Sequence, residues 1–300
     1  MKQIGVLITL FLLLLTGCGG KQSEDKMVSV TIEPQRYFAE KIAGDKFKIN
    51  TVVPSGQNPE SYDPTPQQMV QVSRSKAYLR IGHIGFEEVW IDKLQENNKE
   101  MKFFDLSEGM ELIENAEEHH HEHEHDHEHG EECSHSHYGV DPHIWSSITG
   151  AKKMAWNTLN AFIALDKENT QFYWENYNRL MTEIEATEQE IEKLLAPLKN
   201  RTFIIYHPAL TYFSNEYNLT QLSIEMEGKE PSPAQLRRLI DTSRESGAKV
   251  VFIQQEFDKK NAELVAKETN CNLVVINPFD YDWKKEMIHI AQALADGETN

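Results

Sequence analysis

The chain has 300 residues and carries 48 Asp and Glu against 30 Lys and Arg, a formal net charge of −18. That balance argues against nucleic acid or an anionic lipid surface as partner. Its length suffices for two ordinary domains, each able to bury its own core.

Lys2 and an almost wholly apolar run from Ile4 to Leu15 open the sequence. The run is too short to span a membrane and reads as a secretory signal over residues 1–17. Leu15-Thr16-Gly17-Cys18 resembles a bacterial lipobox, which implies that Cys18 is lipidated and begins the mature chain. Residues 18–26 are small and polar, as a tether between lipid and domain requires. No second long apolar run follows, so a membrane-anchored lipoprotein of the cell envelope is expected, on its periplasmic or outer-surface side. Cys133 falls in a polar stretch and Cys271 between a helix and a strand, so no structural disulfide is expected.

Four strands are predicted next, at Val28 to Ile32, Phe47 to Val53, Ala77 to Ile81 and Lys102 to Leu106, with helical patterns such as Arg36 to Ile42 and Pro66 to Ser73 between them. A second set follows at Thr202 to Tyr206, Gln221 to Ile224, Val250 to Gln254 and Leu273 to Ile276, separated by helices at Pro233 to Ser246 and Lys259 to Thr269. This alternation predicts an α/β class with parallel sheets. From Asn169 to Leu198 there is no Gly, and Tyr173, Tyr177, Leu180, Ile184, Ile191, Leu194 and Leu198 share one face. The pattern predicts one helix of about 30 residues, roughly 45 Å long, linking two lobes. The expected division is an N-terminal lobe over 27–166, a linking helix over 167–199 and a C-terminal lobe over 200–300.

Between the strand sets lies a stretch of different chemistry. His119, His120, His121, His123, His125, His127, His129, His135 and His137 alternate with Glu and Asp in a loop over 117–137 that has almost nothing apolar to bury. Imidazole mixed with carboxylate suits zinc, copper and nickel, so the loop reads as a weak multi-site metal collector. A tight site must come from ordered residues. His143 in Asp141-Pro142-His143-Ile144-Trp145 and His207 at the end of a predicted strand are its candidates, because ligands gather outside the carboxyl ends of strands in open α/β sheets.

Asp141-Pro142-His143-Ile144-Trp145 after a His-rich loop resembles the zinc- and manganese-specific substrate-binding proteins of the ZnuA and TroA type. The Tyr206-His207-Pro208-Ala209 run, the Asn58-Pro59-Glu60 loop and the Glu230-Pro231-Ser232-Pro233 segment carry the same resemblance. It implies two (β/α)₄ lobes joined by a long rigid helix, with the metal in the cleft between them. It also implies capture of a zinc ion, manganese or iron being the alternative, for the permease of an ABC importer by a monomeric protein. The family's second and third ligands fall on His143 and His207. Its first, a histidine, is replaced by Glu60, and its fourth, an acid, by Asn277. Glu60, His143 and His207 would make a His₂Glu set that zinc accepts readily. His83 and Glu256, each after a predicted strand, are further candidates for ligand or supporting roles, and Asp141 could orient His143. Two other readings stand beside capture: a surface adhesin or storage lipoprotein, and a zinc hydrolase, for which the sequence outside the His-rich loop has no His-Glu-x-x-His helix. The expectation is a protein without catalytic activity.

Overall fold

The computed structural model describes residues 26–114, 139–226 and 228–298. The lipobox-like segment ending at Cys18 and the histidines from His119 to His137 lie outside the described residues. Two four-stranded parallel sheets form the frame. The first orders its strands β2 (Lys48–Thr51), β1 (Met27–Val30), β3 (Ala77–Arg80), β4 (Lys102–Asp105). The second repeats the plan with β6 (Thr220–Ser223), β5 (Thr202–Ile205), β7 (Val250–Gln254), β8 (Asn272–Ile276). All eight strands coincide with predicted ones, shortened or shifted by up to two residues. Central β1 and β7 are buried along their whole length, which is why β7 opens as an unbroken apolar run, Val250 to Ile253, rather than an alternating one.

Helices cross over between the strands. In the first lobe they are α1 (Glu33–Ala43), α2 (Pro66–Val72) and α3 (Gly85–Asn97), and α4 (Ile148–Leu165) follows β4. In the second they are α6 (Thr211–Glu216), α7 (Pro233–Ser246), α8 (Lys260–Thr269) and α9 (Trp283–Gly297). Helices α2 and α7 begin with a Thr or Ser cap, Pro in the first turn and a Gln three residues on, so both the cap hydroxyl and the cap amide are satisfied.

The long helix α5 (Thr170–Leu195) is unbroken over 26 residues, about 39 Å at helical rise. It packs against α1 of the first lobe and α9 of the second, and one apolar core runs along it through both lobes, from Val28 and Phe38 through Leu180 and Ile184 to Phe203 and Ile290. Its buried stripe is Tyr173, Asn176, Leu180, Ile184, Thr187, Ile191 and Leu195. Tyr177 and Leu194 are only partly buried. Asn176 takes a core position because its amide donates to the Ile42 carbonyl at the end of α1 (2.9 Å). No helix among the described residues is long and apolar enough to cross a membrane.

Cross-lobe contacts pin the two halves. Trp145 Nε1 donates to the Pro278 carbonyl (2.9 Å) and Trp283 Nε1 to the Trp145 carbonyl (2.7 Å). Tyr281 donates to Glu40 on α1 at 2.7 Å while the Arg36 guanidinium lies over its ring.

Candidate metal centre

His207 lies two residues past β5, and His143 precedes a short 3₁₀ turn (Ile144–Ser146) that leads into α4. The turn folds tightly onto the helix start. A Cβ on Gly150 would lie 1.8 Å from the Ile144 carbonyl oxygen, so only glycine fits there. The two imidazoles meet, with Nε2 of His143 and Nε2 of His207 3.3 Å apart.

Each imidazole is held from behind by a carboxylate. Asp141 Oδ1 takes both the backbone N–H and Nδ1 of His143, each at 2.8 Å, and Tyr212 fixes Asp141 by donating to its carbonyl (2.8 Å). Glu225, two residues past β6, meets His207 Nδ1 at 2.6 Å. With Nδ1–H given to a carboxylate, each ring directs the lone pair of Nε2 outward, the tautomer a metal ligand needs. In that tautomer both Nε2 lone pairs are free, and the two atoms lie 3.3 Å apart, close enough for one cation to meet both.

The charges agree with that geometry. Burial disfavours the imidazolium of His143, but Asp141, and after it Glu60 and Glu256, outweigh burial and hold His143 above the usual histidine range. Burial pushes Asp141 up as well, yet the adjacent imidazole holds its carboxyl below the usual range. Glu256 is raised by burial, partly offset by both histidines. His143 is buried, only 3% exposed, with the Trp145 ring 5.1 Å away, and Phe257 stacks on His207 at 5.5 Å. Gln254, the last residue of β7 and fully buried, brackets His207: its amide nitrogen donates to the His207 carbonyl (2.6 Å) and its oxygen accepts the His207 N–H (3.3 Å).

Of the residues singled out in the sequence, the structure brings Asp141, His143 and His207 into contact and sets Glu60 and Glu256 where their charge reaches His143. Glu60 rides a loop seated on the start of α3. Its N–H donates to Asn58 Oδ1, Phe86 N–H donates to the Pro59 carbonyl, and a Cβ on Gly85 would lie 2.4 Å from the Glu60 carbonyl oxygen. Among the described residues, no three His, Cys, Asp or Glu side chains are gathered into a metal-ligating set. The centre is a pair of imidazoles with two acids at its margin.

His83 and Asn277 stand apart. His83 is exposed, in a left-handed backbone (φ 60°), and no contact among the described residues ties it to the pair. Its loop serves as a support: the Ile81 and Gly82 amides donate to the buried Glu87 carboxylate (2.9 and 2.8 Å), and Thr31 donates to it as well. Burial pushes that carboxyl up to about 7 in spite of these donors and of Arg80. Asn277 closes its own turn, its side-chain oxygen accepting from Phe279 N–H at 3.3 Å. Glu225 and Gln254 were not singled out in the sequence, although both sit at the carboxyl ends of strands, where the histidines were sought.

A family model described as the periplasmic component A of the zinc-uptake complex, ZnuA, matches residues 28–297. The high-affinity zinc uptake system protein ZnuA of Bacillus subtilis is 27% identical over 286 residues, 91% of this chain and 87% of its own length. The manganese ABC transporter substrate-binding lipoprotein PsaA of Streptococcus pneumoniae is 26% identical over 291 residues, 90% and 87% of the two chains. A crystal structure of ZnuA superposes with a TM-score of 0.81 at 35% identity, covering 90% of this chain and 98% of that one.

Proposed function

The chain belongs to the ZnuA family of zinc-uptake components, and on that footing we propose that it is an extracytoplasmic metal-capture protein whose cargo, a zinc ion, is taken up between His143 and His207 and handed to the permease of an ABC importer. One observation carries the reading. Zinc–imidazole bonds of about 2.0–2.1 Å at a tetrahedral angle separate two ligand nitrogens by about 3.3–3.4 Å, and the two Nε2 atoms stand 3.3 Å apart. Glu60 supplies the third donor, completing His₂Glu, and Glu256 or water the fourth.

Zinc is favoured over manganese because two of the donors are imidazoles, each with Nδ1 turned to a carboxylate and Nε2 left for a metal. The manganese reading draws on the carboxylate in the first position and on the likeness to PsaA. Lipidation at Cys18 would hold the monomeric protein at the membrane, and the His119 to His137 loop would collect ions weakly. The role is capture without catalysis: beyond the donors, Asp141 and Glu225 hold the imidazoles and Gln254 holds the backbone of His207.

Metal analysis of protein purified without added metal, paired with competition titration against zinc and manganese, tests this. The expected result is one tight equivalent, with zinc preferred by orders of magnitude. A manganese preference, or no tight equivalent, contradicts it.

A further inference from the structure

We infer that the α4–α5 hairpin presents a membrane-facing aromatic patch, Trp156, Trp174 and Tyr177, which seats the body of the protein on the headgroup layer of the bilayer that carries its anchor. The inference rests on the proposed lipidation of Cys18.

Trp156 and Trp174 stand on the side of the hairpin turned away from the core, and the half-buried Tyr177 packs between them and the core's margin. Trp156 is 41% exposed and Trp174 38% exposed, among the most exposed large apolar side chains of the described residues. They meet edge to face at 5.7 Å, and Tyr177 joins them at 6.0 and 5.6 Å. Three large rings gathered this way leave apolar faces in water beside polar N–H and O–H tips. That chemistry matches the headgroup zone of a bilayer, where tryptophan and tyrosine concentrate. It needs no basic partner surface and is compatible with a chain of net charge −18.

The exit of the tether fixes which surface covers the patch. Lys26, the first described residue, pairs with Asp166 at the end of α4 (2.9 Å). Tyr173 donates to the same carboxylate (3.1 Å), and Trp174 is its neighbour on α5. Trp156 lies ten residues before Asp166, about 15 Å along the helix. Cys18 precedes Lys26 by only eight residues, which reach at most about 29 Å when fully extended. A lipid on Cys18 therefore brings the bilayer within reach of this hairpin.

The test uses the full-length lipidated chain in vesicles of phosphatidylcholine with brominated acyl chains. Flotation reports the anchor, and tryptophan quenching reports the patch. The expected result is co-flotation with quenching relative to unbrominated vesicles, and loss of the quenched component in the Trp156→Phe, Trp174→Phe double variant. Of the three remaining tryptophans, Trp145 and Trp283 are buried, and the half-buried Trp90 is replaced by Phe in both proteins compared. Co-flotation without quenching, or quenching that survives in the double variant, overturns this inference alone. Failure to float overturns the anchor and this inference together. A lipid-free chain that dimerises, and becomes monomeric in the double variant, assigns the patch to a second copy and also overturns it.

Discussion

Replacing Glu225 separates the contribution of its charge from that of its grip on His207. Its carboxylate meets His207 Nδ1 at 2.6 Å with its side chain only 10% exposed, so the hydrogen bond is short, charge-assisted and poorly screened. Glu225→Gln can still accept the Nδ1–H through its amide oxygen, keeping the tautomer while removing the charge that strengthens the ligand. Glu225→Ala removes both. Supporting carboxylates of this kind are worth about 10- to 100-fold in metal affinity, or about 1.4–2.7 kcal/mol. The Gln variant is expected near the low end and the Ala variant near the high end. Competition against a chromophoric chelator measures the zinc Kd directly. Thermal unfolding provides an independent check: at zinc 100 times the wild-type Kd, binding stabilises by about 2.7 kcal/mol, and a tenfold weaker variant keeps about half of that. An Ala variant whose Kd stays within threefold of wild type would refute the reasoning, leaving Gln254 and Phe257 to orient His207 alone.

Acid should release the cargo early. His143 is held above the usual histidine range, so protons compete for its nitrogen at a pH above about 6.5, and zinc affinity titrated from pH 8 downwards should already be falling there. The metal-free protein should behave oppositely: a raised histidine pKa gives stability that is present at low pH and lost as pH rises through the folded-state value. A pH-independent Kd between 8 and 6 is the opposing result. Gly85→Ala should push the Glu60 loop aside, because the new Cβ would lie 2.4 Å from a backbone oxygen, costing about 1–3 kcal/mol of stability together with zinc affinity. Unchanged melting and Kd would show that the loop yields freely. Glu60→Ala should weaken zinc binding strongly, whereas Glu60→His should restore it and disfavour manganese, imidazole suiting zinc better than a hard cation. An Ala variant that binds zinc normally in parallel titrations removes Glu60 from the ligand set.

Much of the fold was legible because it is written in local pattern. β7 and α7 were bounded correctly: one is a fully buried strand of four apolar residues closed by Gln254, the other is framed by its Ser-Pro cap and the left-handed Gly247. On α5 the stripe was found, but the places of Asn176 and Thr187 were not, since a buried amide that satisfies the Ile42 carbonyl has no hydrophobic signature. The centre followed the same division. His143 and His207 stood in motifs at strand and helix ends, and the pairing of Asp141 with His143 was anticipated. Glu225 and Gln254 were missed because polar side chains that act across 18 and 47 residues of sequence leave no spacing to read. The strand-end rule also drew attention to His83, and the family resemblance to Asn277. One proves exposed and the other turned into its own loop, because neither a strand end nor a matching motif fixes where a side chain points.

The central claim is that two imidazoles, one after β5 and one before α4, share the cargo ion. Diffraction measured at the zinc absorption edge from crystals of the zinc-loaded chain tests it most directly. The prediction is one strong anomalous peak about 2.0–2.1 Å from Nε2 of both His143 and His207. A loaded crystal whose zinc lies away from either nitrogen would contradict it.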